Sequence, residues 1–271
     1  MPNNEYLYLM ENDEEAIRLD IKTDTRVVEK QALWAGIKPD MRVADIGCGS
    51  GKTTSILHKL IQPGGKIIAV DGSEKRIAYA KEHYGFNGIE FKCKNILEPL
   101  DDLCMFDFVW VRFLLEYYRL NSFDIVKNIS RIVKPGGILC LIDLDHNCLS
   151  HFGLSQKLER TLFAVIKILE EKKNFDPYAG RKLYSYLYKL GYQDINVDVS
   201  AHHLIFGKLK NTDTFNWMKK IEVLSKKIHY QFEEYEGGYE EFLVEFERFF
   251  TDPRRFTYTP IIICKGRKPI T

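Results

Sequence analysis

Between Arg42 and Asp145 the chain passes repeatedly from short apolar, β-forming runs to helical stretches and back. The runs are Arg42–Ile46, Lys66–Val70, Ile89–Lys92, Phe106–Val111 and Gly137–Leu144, separated by helical patterns over Lys52–Ile61, Glu74–Tyr84 and Ser122–Val133. Strands that are apolar almost throughout are buried on both faces. Their alternation with helices predicts parallel pairing, with helices packed on either side. The pattern therefore predicts an α/β, doubly wound fold with a mostly parallel sheet. Pro63-Gly64-Gly65 and Pro135-Gly136-Gly137 read as turns leading into the second and fifth strands.

The flanks are mostly helical. Asn12 followed by Glu15 has the spacing of a capping box, and Asp24 opens a second helix expected to turn Val27, Val28, Ala32 and Leu33 inward before Gly36 ends it. Downstream, helices are predicted over 152–172 and 179–190, the second stopping at Gly191. A β-rich run covers 194–206. Amphipathic helices follow over 212–228 and 239–250, divided by Glu236-Gly237-Gly238, and a short strand covers 259–265. The expected organisation is a single domain: an N-terminal helical segment (1–40), a core (41–146), and the rest of the sheet with an inserted helical cap (147–271).

Lys+Arg at 39 against Asp+Glu at 38 leaves a net charge of +1, so no global field draws nucleic acid or an anionic membrane. The six cysteines are scattered without a C-x-x-C pair, which points away from a disulfide scaffold or metal site and toward reduced thiols in a cytoplasmic protein. No signal peptide is expected, and the apolar stretches are too short to span a bilayer. Aromatic residues, at 13%, are in excess, and the stripe Tyr239, Phe242, Phe246, Phe249, Phe250 has the spacing of a packed helix face.

The first strand runs into Gly47-Cys48-Gly49-Ser50-Gly51 and then a helix. Such a loop lets backbone approach a ligand and presents helix N-terminal N–H groups. Three cofactor classes use one. A phosphate loop would match Gly51-Lys52-Thr53, with Asp143 after an apolar strand as a magnesium ligand, but it needs glycine where Ile46 stands. A dinucleotide loop prefers G-x-G-x-x-G, and here the spacing is G-x-G-x-G.

Asp45-x-Gly47-x-Gly49-x-Gly51 resembles the signature of class I S-adenosylmethionine-dependent methyltransferases (type 11/25-like), and the resemblance extends over Arg42 to Asp145. It implies a Rossmann-like, seven-stranded sheet with an antiparallel C-terminal strand, and S-adenosyl-L-methionine as cofactor. Asp45, Gly47, Gly49 and Gly51 would form its loop. Asp71, with Gly72 after it, would accept the ribose hydroxyls. Asn95 stands where the family commonly has an adenine-binding Asp, and Ile96 would flank the adenine. Arg112, after the fourth strand, would contact the cofactor carboxylate, and Lys134-Pro135-Gly136-Gly137 is a further family feature.

Each assignment has a plainer competitor. Asp71 could be a helix N-terminal acid, Asn95 a turn residue, and Arg112 a cap on the sheet. Cys48 fits the tight loop by its size. His146, His151, His202 and His203 lie downstream of strand ends, where a general base could serve, but no catalytic residue stands out. Lys219-Lys220 and Lys226-Lys227 read as the solvated face of a helix, and Tyr6 and Tyr8 as a segment that closes over the cofactor or anchors to the surface. There is no N-P-P-Y after the fourth strand, no Pro-Cys nucleophile and no paired-glutamate loop, which leaves a small-molecule O-, N- or C-acceptor. A non-catalytic S-adenosylmethionine-binding module, an RNA methyltransferase and, last, a P-loop NTPase stay open at this point.

Overall fold

The computed structural model describes residues 15–211, 213, 214, 217, 218, 220–222 and 230–270. Asn12, Tyr6, Tyr8, Lys219, Lys226 and Lys227 lie outside them. In chain order the elements are α1 (Glu15–Lys22), α2 (Thr25–Ala35), β1 (Arg42–Ile46), α3 (Lys52–Leu60), β2 (Lys66–Asp71), α4 (Glu74–Tyr84) and β3 (Ile89–Cys93). Then come β4 (Phe106–Arg112), α5 (Ser122–Arg131), β5 (Val133–Leu144), β6 (His151–Phe152), α6 (Gln156–Lys172), α7 (Leu183–Lys189), β7 (Gln193–Phe206), α8 (Gly238–Thr251) and β8 (Phe256–Arg267).

The sheet runs β3-β2-β1-β4-β5-β8-β6, with β7 on the other side of β8. The first five positions pair in parallel, while β8 is antiparallel to β5, β6 and β7. This is the predicted α/β architecture, with one difference in count. The two-residue β6 makes an eighth strand, too short to leave a sequence signal.

Side chains alternate across each strand, so neighbouring residues feed opposite layers. Ala44, Ile68, Val109, Val111 and Leu139 pack on α5 and α7, whereas Val43, Ile67, Phe108, Trp110 and Ile142 pack on α2 and α3. The α2 boundaries follow the expected caps: Asp24 accepts from the Arg26 and Val27 N–H groups, and Gly36 ends the helix at φ +99°. Its face does not follow expectation. Val28 and Ala32 are buried, but Val27 and Leu33 are exposed, and the polar Gln31 turns inward instead.

Pro135-Gly136-Gly137 is also not a separate turn. The strand begins at Val133, and the segment is absorbed as an irregularity between the Phe106–Val133 and Phe108–Ile138 pairs. Gly136 takes φ +74° there and donates to the Lys268 carbonyl.

Beyond β5 the aromatic excess finds its place. Phe242, Phe246, Phe249 and Phe250 of α8 are buried together with Trp217, Phe232, Tyr235 and Leu158 of α6 in a separate apolar cluster. Among the described residues, no helix is long and apolar enough to cross a membrane.

Candidate active site

The glycine loop leaves β1 at the carboxyl ends of the parallel strands. Gly47, Gly49 and Gly51 all have positive φ (+80°, +55° and +85°), which side-chain-bearing residues rarely adopt. Their surroundings differ. A Cβ on Gly51 would stand 2.8 Å from Ala80 Cβ and 3.0 Å from the Phe91 ring, so this position seats α4 and β3 against the loop. At Gly47 and Gly49 the nearest atoms are the methyl ends of Leu114 (3.0 Å) and Leu19 (2.9 Å).

Asp45 is buried on β1 and accepts from Thr54 Oγ1 at 2.7 Å. Burial, helped by the nearby Asp71 charge, pushes its carboxyl up to about 7, while Thr54 and Arg112 oppose the shift. Asp71 ends β2. It accepts from the Gly49 N–H at 2.9 Å and from the Ser73 N–H at 2.9 Å, and its Oδ1 meets Arg76 at 2.9 Å. The carboxylate thereby joins the loop to the first turn of α4. Gly72 beside it is exposed, and a Cβ there would meet the Lys94 carbonyl at 3.8 Å, an ordinary contact.

Asn95 is exposed and its side-chain oxygen accepts from the Leu97 N–H at 3.1 Å, the turn role, which uses one of its two lone pairs. Ile96 is buried among Leu100, Leu103 and Ile125 in the main core. Arg112 donates to Gln31 Oε1 at 3.2 Å and lies 4.0 Å over the Phe113 ring. Burial brings its guanidinium down to about 10, against the pull of Asp45 and Asp143. Asp45, Asp71, Arg112 and the three glycines therefore gather about one loop, whereas Asn95 and Ile96 are held in the turn and core after β3.

The residues a nucleotide triphosphatase would need are engaged elsewhere. Lys52 Nζ donates to the Asp20 carbonyl of α1 at 2.7 Å. Asp143 is fully buried, and its oxygens accept from the Leu115, Glu116 and Leu144 N–H groups. These contacts brace the turn after β4, and burial and Glu116 hold the carboxyl well above the usual range. A buried acid and no free lysine at the loop suit a ligand carrying ammonium and sulfonium groups, and do not suit phosphates. The donor set fits S-adenosylmethionine.

Residues 44–141 match the family model described as a methyltransferase domain. Over these residues the core is similar to S-adenosylmethionine-dependent methyltransferase domains. Demethylmenaquinone methyltransferase of Bacillus cytotoxicus is 32% identical over 39% of this chain and 46% of its own length. Ubiquinone biosynthesis O-methyltransferase of a Bradyrhizobium species is 30% identical over 45% and 47%. The chain thus spans about half the length of the curated relatives it matches. In fold, the methyltransferase core and its additions resemble phosphoethanolamine N-methyltransferase 2 of Haemonchus contortus, solved with S-adenosyl-L-methionine. The TM-score is 0.56 at 16% identity, covering 95% of this chain and 57% of that one.

Beside the methyltransferase loop lies a second group of residues that the sequence did not single out as a site. Phe113 follows β4 at φ +56°, with Arg112 on one side of its ring and His202 of β7 at 4.7 Å on another. Lys22, the last residue of α1, sits 4.9 Å over the same ring. Burial and the charges of Arg18 and Lys220 bring Lys22 down to about 7, with Glu116 opposing.

His202 packs against His203 at 4.3 Å with the rings tilted, and His203 leans on Trp217 at 5.8 Å. Both imidazoles are held well below their usual range, by burial first and then by the neighbouring cations. Of the four histidines named from sequence, His146 is exposed against Tyr178, and His151 is tied to Thr257 and the Cys148 carbonyl. His203 meets Thr259 Oγ1 at 3.3 Å, and His202 Nε2 is buried without a hydrogen-bond partner. Lys220 is half-buried and turned inward, 3.7 Å from Cys148 Sγ, which corrects its reading as a solvated charge.

Proposed function

We propose that the protein transfers the methyl group of S-adenosylmethionine to an oxygen, nitrogen or carbon atom of a small, flat acceptor. The acceptor would sit over the strand carboxyl ends, beneath the α6 and α8 cap. The observation that carries this reading is the position of Phe113. Its ring touches Arg112, which reaches toward the glycine loop, and also His202 and Lys22 of the adjoining aromatic space. The relatives named for quinone-type rings support a flat acceptor, as do the rings of Phe113, Tyr117 and Trp217.

When bound, S-adenosylmethionine supplies a methyl carbon made electrophilic by its sulfonium. The chain's own residues do the rest by alignment and exclusion of water. The backbone at Gly47, Gly49 and Gly51 seats the cofactor beside the buried Asp45. Asp71 with Gly72 holds the ribose, Asn95 and Ile96 border the adenine, and Arg112 meets the carboxylate. His202, held neutral, offers Nε2 to a proton leaving an acceptor hydroxyl. We place the reaction in the cytoplasm, in keeping with six free cysteines.

The test is release of S-adenosylhomocysteine when the protein and S-adenosylmethionine are incubated with a panel of hydroquinones, catechols and aromatic acids. Turnover on at least one flat acceptor is expected. Cofactor binding without turnover on any acceptor would make the protein a binding module, and absence of binding would overturn the proposal.

A further inference from the structure

Around Phe113 the side-chain contacts form a continuous chain. Lys22 lies over Phe113, Phe113 meets His202, His202 meets His203, and His203 meets Trp217. Lys220 Nζ lies 5.2 Å from the Trp217 ring and 3.7 Å from Cys148 Sγ. Cys148 donates to Asn147 Oδ1 at 3.4 Å, and Asn147 donates to Glu116 Oε2 at 2.6 Å. Two ammonium groups thus stand at separate points of this chain of contacts and feel each other's charge, Lys22 from the N-terminal helix and Lys220 from the segment after β7.

Each ammonium meets an aromatic face, and among the described residues neither has a carboxylate at ion-pair distance. Glu116 is the acid of this chain of contacts, and its side chain is turned to Asn147. A half-buried cation lacking a directly paired anion costs free energy, and two close enough to feel each other cost more, unless a bound anion pairs with them.

We propose that the methyl acceptor is an anion, a carboxylate on a flat conjugated frame, with its negative charge held between Lys22 and Lys220 and its ring against Phe113 and Trp217. This rests on the methyltransferase reading and adds the charge of the substrate to it. Arg112 is already paired with Gln31 and lies near Asp45, whereas Lys220 contacts Trp217 and Cys148. The depressed Lys22 agrees with this assignment, since an anion beside it would restore its charge.

The experiment is calorimetric titration of the full chain, saturated with S-adenosylhomocysteine, with 2-naphthoate and with its uncharged analogue 2-naphthamide. Naphthoate should bind about tenfold more tightly, the scale of one charge-assisted contact. Lys220→Met and Lys22→Met should each reduce that preference to below about threefold, with naphthamide and S-adenosylhomocysteine affinities unchanged, and Lys220→Arg should keep it. Unchanged S-adenosylhomocysteine affinity also certifies that the variants are folded. Equal affinity of the two probes for the native chain, or a preference that survives both methionine variants, overturns the proposal. So does a loss of S-adenosylhomocysteine affinity in Lys220→Met, which would move that lysine to the cofactor. Failure of the native chain to bind S-adenosylhomocysteine at all would instead bring down the methyltransferase reading beneath it.

Discussion

Replacing Gly51 by alanine separates the two jobs of the glycine loop. The backbone there has φ +85°, where an L side chain costs roughly 1 kcal/mol. The added methyl would also stand 2.8 Å from Ala80 Cβ and 3.0 Å from Phe91 Cζ. Neither neighbour is a flexible chain end: Ala80 Cβ is fixed to α4 and the Phe91 ring is buried on β3. Relief therefore requires moving one of those elements, and overpacking of this kind costs about 1–3 kcal/mol. Together the effects should destabilise the fold by about 2–4 kcal/mol, which lowers Tm by roughly 4–16 °C for a domain of this size. Gly72→Ala is the matched control, since its nearest atom would be the Lys94 carbonyl at 3.8 Å. Its stability should change by less than about 1 kcal/mol. Differential scanning calorimetry of both variants is the assay. If Gly51→Ala melts within 2 °C of the native protein, or no lower than Gly72→Ala, the claim that Gly51 seats α4 and β3 is refuted.

Two further outcomes follow from buried groups. Asp45 has a folded-state carboxyl near 7 against 3.8 when unfolded, so the folded state binds the extra proton and stability falls as pH rises between those values. Asp45→Asn, which can still accept from Thr54, should flatten that decline by up to about 4 kcal/mol in cofactor-free protein. Urea unfolding from pH 4 to 8 would show it, and parallel profiles would contradict the burial argument. Phe246 is fully buried at the centre of the α8 stripe, and Phe246→Ala should cost about 3–5 kcal/mol in urea unfolding. Phe163→Ala, at a half-exposed ring of α6, should cost under about 0.5 kcal/mol; equal losses would refute the packing role of the stripe.

The core was legible because buried parallel strands leave a continuous apolar trace and helix ends leave caps. β1 and α4 begin and end where sequence places them, and Asp24 and Gly36 bound α2 as read. The loop signature and the order of the strands were enough to name the cofactor class. Features fixed by tertiary contact were not legible. Gln31 faces inward because Arg112, 81 residues away, donates to it, and no helical periodicity records such a partner. Lys220 belongs to a run of lysines that reads as a wet face, and its inward turn depends on Trp217 and on Cys148 from another segment. Lys22 likewise gains its meaning from Phe113 after β4. The Pro135 turn was misplaced because a bulge lets β5 continue through residues that ordinarily stop a strand.

The long β7 ends the sheet on one side, and among the described residues it pairs with β8 alone. A straight edge carrying Val197, Val199, Leu204 and Phe206 in the open would invite a strand from another molecule. Two register shifts, between Gln193 and Asn196 and between Ala201 and His203, break that edge into short lengths. Asp194 and Asp198 put negative charge along it. The second shift also lies at His202, so the irregularity that spoils the edge as a template for aggregation falls where the strand delivers its imidazole to the aromatic ring. Straightening β7 to suit a neighbouring strand would withdraw that imidazole from Phe113 and His203, so the same irregularity serves both the edge and the site.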